Sequence, residues 1–416
     1  MRIIVIGGGI IGSSTALRLR AGDLQVTLVD PSDLLRAASW GNAGHIAIEQ
    51  VEPLASWATI RSAPRRLFSA GGALGLPLSQ IGRWLPFALR MTKFSSAAHV
   101  QRGRAALRSL LAAAMPAWRT LAASLGAPGV LLEQGHIVVW ESPATAAAGL
   151  ASWRSVDVGT ARFHECDQAE LREVAQLIKR PLSGGIRFEN TGQIADLPKL
   201  NALLSASLRE HGVELVQGAA RAIEHGGSGT AVLLEDGKRL SADLVLITAG
   251  VRSRALLEPF ADCVPLIAER GYHLQMPNHR WPDLPPLVFE DRSMIVTRFE
   301  SGLRAASFVE FGNVDAPPDR RKWDRLRNHI AELGLPCEPQ PESGTVEWMG
   351  ARPTLPDYLP AIGRVADAPN ILYAFGHQHL GLTLAAITAE LVGQLIWNQL
   401  PTVDLRPFDI GRFSAA

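Results

Sequence analysis

Apolar runs and polar breaks at the start of the chain follow the order strand, helix, strand. Residues 3–6 are Ile-Ile-Val-Ile, an apolar and mostly β-branched run that predicts a buried parallel strand. Apolar residues then follow helical spacing as far as Leu19, and Gly22 ends the helix. Residues 25–29 predict a second strand, which ends on Asp30. This order is typical of a βαβ unit and a parallel sheet.

Farther along the chain, segments whose apolar residues have helical spacing alternate with segments whose residues are typical of strands. Apolar residues at helical spacing from Leu107 to Leu121 predict a helix that faces the core. The Asp236-Gly237 pair predicts a hairpin between residues 232–234 and 239–241. Further strands are predicted at 135–140, 213–216, 243–250, 293–299 and 304–311, and further helices begin at Asp196 and near Gly381, the last of them ending at Ile396. The strand at 243–250 returns to the first sheet long after the chain has left it, so the domain that holds this sheet should be discontinuous.

Three glycines follow the first predicted strand with the spacing G-x-G-x-x-G. Gly7 permits a tight turn, Gly9 lets the backbone approach a pyrophosphate, and Gly12 lets the helix lie close to the strand. The predicted helix begins at Ile10 and Ile11, and the free backbone N–H groups at its N-terminus attract phosphate. Because strand, helix and second strand surround the glycines in the required order, the pattern predicts a dinucleotide site.

A carboxylate and two groups of small residues extend this predicted site. Asp30 is placed to accept hydrogen bonds from a ribose diol and would repel a 2′-phosphate, which favours FAD or NAD over NADP. The loop at 39–45 and the end of the strand at 243–250 are rich in small residues, which lets backbone lie close to a ligand. The cofactor-binding residues predicted there are Ser39, Asn42, Ala43, Gly44, Ala249 and Gly250.

Composition narrows the class of protein. The chain has 416 residues, 47% hydrophobic and 19% charged, with a net charge of +1, so its charge balance indicates no nucleic-acid partner. The three cysteines are far apart and show neither zinc-ligand spacing nor a disulfide framework. No apolar run reaches the roughly 18–20 residues of a membrane helix. A cytoplasmic protein is therefore expected.

One segment of the sequence departs from this ordinary composition. Residues 65–91 mix basic and large apolar side chains. Such a stretch could lie on a membrane surface, peripherally on its inner face, or could cover the substrate domain or contact a subunit. The weak helical periodicity favours the cover or the subunit contact.

Motifs spread along the chain resemble a known family. They are the opening glycine loop with Asp30, "ASWGNAGHI" at 38–46, "ERGYHL" at 269–274, "GARPTLPDYLPAIGR" at 350–364 and "FGHQHLGLTLA" at 375–385. The chain resembles the flavin-dependent D-amino-acid oxidase/dehydrogenase superfamily, closest to bacterial D-amino-acid dehydrogenases and their hydroxyproline-type relatives. The first motif is shared by many flavin and NAD proteins, whereas the last two are much more specific together.

The resemblance implies a fold class of α/β plus α+β. It implies a discontinuous Rossmann-like FAD-binding domain and a second, substrate-binding domain built on a mixed, largely antiparallel sheet. We expect the FAD-binding domain to comprise residues 1–50, 190–265 and 350–416. The substrate-binding domain is expected at 51–189 and 266–349.

Two departures from related enzymes predict that FAD is bound noncovalently. Dimethylglycine-type relatives hold FAD through a histidine that follows the tryptophan of the first small-residue loop, and Gly41 stands at that place. Monomeric sarcosine oxidase-type relatives use a cysteine in the segment before Pro-Asp, where this chain has Gly350. None of the three cysteines falls in that segment.

The predicted catalytic residues combine side-chain chemistry with the resemblance. Arg352 offers a planar fork for a carboxylate, and the matching family position holds the substrate carboxylate over the flavin. Tyr272 could bind the carboxylate or orient the amine, or simply pack as an aromatic. His45 could lie near the flavin edge, and His377 begins the turn that passes beside the flavin ring in the family. His377 and His379 have H-x-H spacing but no further ligand set, so no metal is predicted.

The same turn is expected to supply backbone to the flavin. The residues implied are Gly376, Gly381, Leu382 and Thr383. A helix that starts there would direct its N-terminus at the N1–C2=O edge of the ring, where its partial positive charge stabilises anionic reduced flavin.

The function predicted from this resemblance is oxidation of D-amino acids or of cyclic D-imino acids of the D-proline and hydroxyproline type. Hydride would pass from the α-carbon to flavin N5, and oxygen, a quinone or an electron-transfer protein would accept the electrons. A glycine/sarcosine-type oxidase, a 2-hydroxy-acid dehydrogenase and a flavin-binding electron-transfer subunit are alternatives. An NAD enzyme is a further alternative.

Overall fold

A computed structural model describes residues 1–31, 37–226 and 229–414. Residues 32–36, 227–228 and 415–416, which fall in the predicted FAD-binding segments, lie outside the described residues. The α-helices are α1 (Ile10–Arg20), α2 (Trp57–Arg66), α3 (Ile81–Lys93), α4 (Ala97–Ala112), α5 (Ala114–Ser124), α6 (Pro143–Ser155), α7 (Gln168–Ala175), α8 (Leu197–Glu210), α9 (Ser253–Leu257), α10 (Arg321–Leu333) and α11 (Ala385–Ile396). Short 3₁₀ turns connect several of them.

The strands divide between two large sheets and two small ones. In chain order they are β1 (Arg2–Ile6), β2 (Gln25–Asp30), β3 (His45–Ile46), β4 (Leu74–Gly75), β5 (Leu131–Leu132), β6 (His136–Trp140), β7 (Phe163–Glu165), β8 (Gly184–Phe188), β9 (Gly192–Ile194), β10 (Glu214–Gln217), β11 (Ala220–Gly226), β12 (Gly229–Leu234), β13 (Arg239–Ala242), β14 (Leu244–Ile247), β15 (Ile267–Met276), β16 (Leu287–Phe289), β17 (Met294–Phe299), β18 (Gly302–Gly312), β19 (Val346–Thr354), β20 (Ala361–Arg364) and β21 (Ile371–Phe375). Most predicted strands appear within one or two residues of these bounds.

The first sheet has six strands in the order β10-β2-β1-β14-β21-β20. All neighbours are parallel except β20 and β21. Its central strand is buried on both faces, since Ile3 and Val5 pack into one apolar cluster and Ile4 and Ile6 into another. Helices α1, α8 and α11 pack together on one side. The predicted βαβ unit and the return of the chain at β14 are confirmed.

The second sheet is mixed and largely antiparallel. Its path is β19-β15-β18-β17-β16-β6-β8-β7, with β4 paired to β18. The pairs β16–β6 and β18–β4 are parallel, and the others are antiparallel. Together the two sheets confirm the predicted fold class.

Two helices differ from their sequence predictions. The stripe from Leu107 to Leu121 spans α4 and α5, which break at Ala113. Pro116 explains the break, because its ring lacks an N–H and clashes with the carbonyl four residues earlier. The last helix begins at Ala385 rather than near Gly381. The indole N–H of Trp118 donates to the carbonyl oxygens of Leu382 and Thr383, which holds residues 381–384 as turns against α5.

The predicted domain division stays a prediction. Strand β19 crosses the expected boundary at residue 350 and belongs to the second sheet as far as Thr354. Among the described residues, no helix combines the length and the apolar character needed to cross a bilayer.

Candidate active site

The glycine loop after β1 leaves no room for side chains. Gly7 has φ of +108°, a left-handed conformation that favours glycine. A Cβ on Gly12 would lie 1.8 Å from the Gly7 carbonyl oxygen and 2.6 Å from Thr248 Oγ1. A Cβ on Gly7 would lie 2.6 Å from the Thr248 carbonyl oxygen. The loop therefore closes tightly between α1 and the end of β14, as a pyrophosphate cradle requires.

Polar contacts hold this cradle in shape from two sides. The Gly8 N–H donates to Asp30 Oδ2 at 2.6 Å, and the Ile10 N–H donates to Ser39 Oγ at 3.0 Å. A Cβ on Gly9 would lie 3.3 Å from the same Ser39 hydroxyl. Asp30 and Ser39, both predicted as cofactor residues, thus meet the glycine loop directly. The bare backbone, helix N-terminus and adjacent carboxylate fit the diphosphate and ribose of a dinucleotide.

The small-residue loop at 39–45 is fixed by side chains from the second sheet. Arg304 on β18 donates to the carbonyl oxygens of Trp40 and Asn42. His273 on β15 bonds to the Gly41 carbonyl oxygen at 3.0 Å and stacks on Trp348. Within the loop, the Gly44 N–H donates to Asn42 Oδ1 at 2.8 Å, and Ala43 lies between them. The loop therefore joins the two sheets.

The other predicted cofactor residues also follow strands of the first sheet. Ala249 and Gly250 follow Thr248 after β14, and the Cα of Ala249 would lie 2.8 Å from a Cβ on Gly7. Gly376 follows β21 with φ of +78°. Thr383 accepts a hydrogen bond from the Ala47 N–H at 2.9 Å, which links the turn at 381–384 to the chain after β3.

Arg352 lies on β19 directly opposite Glu269 on β15. Its Nη1 donates to Glu269 Oε1 at 3.0 Å, and Thr354 Oγ1 donates to Glu269 Oε2 at 3.1 Å. The side chain of Glu269 is 3% exposed and that of Arg352 is 28% exposed. The carboxylate is therefore sealed in the protein while the guanidinium still reaches an approaching anion.

Three glycines make room for this arginine and its neighbours. A Cβ on Gly271 would lie 2.4 Å from Arg352 Nη2. A Cβ on Gly350 would lie 1.9 Å from the ring of Trp348, and a Cβ on Gly41 would lie 2.2 Å from the same ring. Because these glycines have no side chains, the guanidinium of Arg352 and the indole of Trp348 can lie flat on one face of the second sheet. This face meets the loop at 39–45.

Tyr272 faces the other side of the sheet. The pairing of β15 with β19 runs without interruption from residue 267 to 275, so Glu269 and Tyr272 point to opposite faces. The Tyr272 hydroxyl donates to Glu310 Oε1 at 2.9 Å and accepts from Arg270 Nη2 at 2.9 Å. Burial raises its pKa to about 12. The structure therefore does not bring Tyr272 together with Arg352, and the predicted role of Tyr272 at the substrate carboxylate stays a prediction.

His45 belongs to a cluster that the sequence analysis did not identify. Its Nε2 lies 3.2 Å from Glu49 Oε1, and its ring meets that of His136 edge-on with centroids 4.3 Å apart. Burial alone would raise the pKa of Glu49, but His45, His136 and a backbone hydrogen bond together outweigh it and lower that pKa to about 2. Ligand atoms of the three side chains lie within 4.8 Å of one another. Two histidines and a carboxylate are also a transition-metal donor set, so the expected absence of a metal stays a prediction.

His377 and His379 have separate partners. His377 Nε2 lies 3.0 Å from Thr388 Oγ1 in α11. His379 Nε2 donates to Gln50 Oε1 at 2.6 Å, and Glu269 and Arg352 act electrostatically on His379. Of these two histidines, His379 is therefore the one that interacts electrostatically with Arg352.

Several residues of the site carried no usable signal in the sequence. Glu269 stands in the motif ERGYHL beside Arg270, and two adjacent charged residues within a strand were the one available clue. Glu49 and His136 are far apart in sequence and meet only through the pairing of β3 with β9 and β6 with β8. Their juxtaposition depends on long-range pairing that no local spacing reveals.

The buried histidines should make the protein sensitive to mild acid. Burial lowers the pKa of His136 and of His377 to about 3 and that of His379 to about 4. In the unfolded chain a histidine titrates near about 6.5, so below that pH the unfolded state binds protons that the native state refuses. We expect the melting temperature to fall steadily as the pH decreases from about 6.5 to 4.5. His379→Gln should reduce that slope, and a melting temperature independent of pH over this window would contradict the expectation.

Replacing Glu269 by glutamine should cost more stability than replacing an exposed partner. Glu269→Gln removes a buried negative charge that holds Arg352 and Thr354, and we expect a loss of about 2 kcal/mol in the free energy of unfolding. Glu300→Gln is the matched control, because Glu300 pairs with Lys199 at an exposed site and should change stability by less than about 1 kcal/mol. Urea denaturation measures both values. Equal losses would show that the Glu269 pair does not stabilise the site.

The sequence of the chain matches a known family and known proteins. The family described as DAO, FAD dependent oxidoreductase, matches residues 2–395. The chain is 31% identical over 417 residues to a D-amino-acid oxidase of Bradyrhizobium diazoefficiens, covering 99% of this chain and 98% of the relative. It is 26% identical over 425 residues to a D-amino acid dehydrogenase of Dechloromonas aromatica, covering 96% and 98%.

Solved structures share the fold at lower identity. Glycine oxidase from Geobacillus kaustophilus superposes with a TM-score of 0.74 at 19% identity, covering 99% of each chain. Iminodiacetate oxidase from Chelativorans sp. BNC1 superposes with a TM-score of 0.69 at 18% identity, covering 98% of each chain. The arrangement of the two large sheets is therefore one that the solved structures of these two oxidases also adopt.

Proposed function

Because the chain belongs to the DAO family of FAD-dependent oxidoreductases, we propose that it oxidises D-amino acids or cyclic D-imino acids of the D-proline and hydroxyproline type. As a member of this family, the chain is an FAD-dependent enzyme that acts on amino acids. The proposal concerns the substrate and the residues that handle it. The observation that carries it is the accessible guanidinium of Arg352 beside a sealed carboxylate.

Arg352 would bind the carboxylate of the substrate. Its Nη1 is engaged by Glu269, which fixes the plane of the guanidinium and leaves another edge for a carboxylate. Gly271 keeps the space beside Nη2 open. Since Glu269 is buried, it orients the arginine without exposing a negative charge to an incoming anion. A substrate held by this edge has its α-carbon in a fixed position.

FAD, when bound, would supply a two-electron acceptor able to take the α-hydrogen as hydride at its N5 atom. The oxidised product is an imine, which water hydrolyses to a 2-oxo acid and ammonia, whereas a cyclic substrate gives a cyclic imine. In this proposal the residues of the chain bind and orient the reactants. His45 and His377 lie in segments that flank the flavin site, and we propose that they position these segments.

The proposed cofactor contacts follow the geometry of the loops. The backbone at Gly7, Gly9, Ile10, Ile11 and Gly12 would hold the pyrophosphate, and Asp30 would accept from the ribose. The loop with Ser39, Asn42, Ala43 and Gly44, the strand end at Ala249 and Gly250, and the turns at Gly376, Gly381, Leu382 and Thr383 would enclose the remainder. Residues 1–50, 190–265 and 350–416 would form the domain that holds the cofactor.

We propose that FAD is bound without a covalent bond. Gly41 stands where relatives with a histidine attach the flavin, and the ring of Trp348 occupies the space that a side chain at this position would need. Cys166, Cys263 and Cys337 pack beside apolar clusters elsewhere in the fold. Acid precipitation of the purified protein should therefore release its flavin into the supernatant.

Anaerobic mixing with single substrates tests the function. The holoenzyme is mixed with D-alanine, D-proline, D-hydroxyproline, their L-enantiomers, glycine, sarcosine and D-lactate, and flavin absorbance is followed without an acceptor. We expect bleaching by D-amino or D-imino acids and not by their L-enantiomers. Bleaching by D-lactate or by glycine alone would favour the alternative enzymes, and a spectrum unchanged by every compound would favour an electron-transfer subunit. Re-oxidation by oxygen, a quinone or a redox protein then identifies the acceptor class.

A further inference from the structure

The region that contains α2 and α3 carries basic side chains and no acidic ones. Residues 53–132 contain no aspartate or glutamate. The basic residues on α2 and α3 are Arg61, Arg65, Arg66, Arg83, Arg90 and Lys93. All six are exposed, and none forms an ion pair with any described residue. In a chain of net charge +1, this is a strong local excess of positive charge.

An exposed apolar stripe lies on the same elements. Leu78, Ile81, Leu85 and Leu89 are 81%, 45%, 40% and 60% exposed and follow a spacing of three or four residues. Such spacing places them along one face of α3 and the turn before it. Six of the ten exposed large apolar residues of the described chain fall between residues 54 and 89, the other two being Leu54 and Trp57.

The opposite face of α3 is fixed to the second sheet. Phe87 and Met91 are buried, and the ring of Phe87 lies 5.4 Å from that of Phe311 on β18. The helix is therefore anchored through one apolar face while it presents another to the outside. The leucines of α3 are therefore exposed without a cover from the described chain.

We propose that α2 and α3 form a docking surface for an anionic lipid bilayer. The apolar stripe would enter the boundary between headgroups and acyl chains, and the basic side chains would contact the negative headgroups. A symmetric dimer through this surface is disfavoured, because the cations beside the apolar stripe, such as Lys93, would face their own copies across the two-fold axis. A nucleic acid would satisfy the cations but leaves the leucines without apolar contact. This proposal does not rest on the proposed substrate.

Vesicle co-sedimentation of the holoenzyme tests the surface. Vesicles of phosphatidylcholine alone are compared with vesicles of phosphatidylcholine and phosphatidylglycerol in equal parts, at low and high salt. We expect binding to the anionic vesicles that weakens with salt. Leu85→Ser with Leu89→Ser should reduce the partition coefficient by at least about tenfold. Leu215→Ser with Leu400→Ser is the matched control, because both leucines are exposed elsewhere, and it should bind as the original protein does.

A charge variant keeps the test decisive if the serine variant folds poorly. Arg61→Gln and Arg65→Gln, at positions that share one face of α2 with exposed Trp57, combined with Lys93→Gln, should abolish the preference for anionic vesicles, while the flavin spectrum and the melting temperature report on folding. No binding to anionic vesicles, or equal binding to both lipid mixtures, would overturn the proposal. A dimer in light scattering that only the Leu85/Leu89 variant dissociates would assign the surface to a second copy of the chain. Flavin bleaching is measured without lipid, so the two proposals fail independently.

Discussion

Replacing Arg352 by methionine is expected to lower kcat/KM for amino acids by about 10²–10³-fold. The substitution removes the fork that receives the carboxylate and leaves Glu269 without its ionic partner. Truncation of one partner in a hydrogen-bonded charge pair typically costs 2–5 kcal/mol, and each 1.4 kcal/mol corresponds to a tenfold change. Steady-state kinetics with the best D-amino acid of the panel measures the loss.

Two comparisons separate carboxylate binding from damage to the site. An amine that lacks the carboxylate should react slowly and almost equally with both proteins, because it never uses the arginine. Arg352→Met combined with Glu269→Gln removes the orphaned charge and should recover stability but not activity. Unchanged kcat/KM in Arg352→Met with its flavin retained would remove the arginine from the proposed site.

Replacing Gly12 by alanine is expected to abolish FAD binding. A Cβ there would lie 1.8 Å from the Gly7 carbonyl oxygen and 2.6 Å from Thr248 Oγ1, far inside van der Waals contact. The nearest atom belongs to backbone, so the glycine loop must shift away from the helix N-terminus that would hold the phosphates. The purified variant should be colourless and should take up less than about a hundredth of the FAD at equal concentration, a loss of about 3 kcal/mol or more in binding free energy.

Gly82→Ala is the matched control for this substitution. Gly82 lies in α3, and a Cβ there would meet nothing within 4 Å. Alanine in a helix is favoured over glycine by up to about 1 kcal/mol, so this variant should bind FAD fully and melt no lower than the original protein. Normal flavin content in Gly12→Ala would show that the loop tolerates a methyl group and that the cradle lies elsewhere.

The parts of the site that the sequence predicted are those that local chain geometry determines. The glycine spacing, the first helix and the acid at residue 30 fall within a single βαβ unit, where each element limits the next. The break between α4 and α5 was missed, because the apolar stripe continues across Pro116 although the helix cannot.

Side-chain direction across long-range strand pairs could not be predicted in the same way. Tyr272 and Glu269 are three residues apart in one motif, yet only the register of β15 against β19 decides which of them faces Arg352. A shift by one residue would exchange the two faces. The same holds for Glu49 and His136, which come together through different strands.

The contacts of Arg304 and His273 with the loop at 39–45 have a consequence for ligand binding. Both side chains belong to strands of the second sheet, yet they set the position of backbone proposed to touch the flavin. Any substrate that stiffens β15 and β18 also stiffens this loop, and a bound flavin acts back on the strands through the same hydrogen bonds. Thermodynamic reciprocity then requires that each ligand change the affinity for the other by the same factor. A substrate analogue that binds more tightly when flavin is present should therefore raise the affinity for flavin by the same factor.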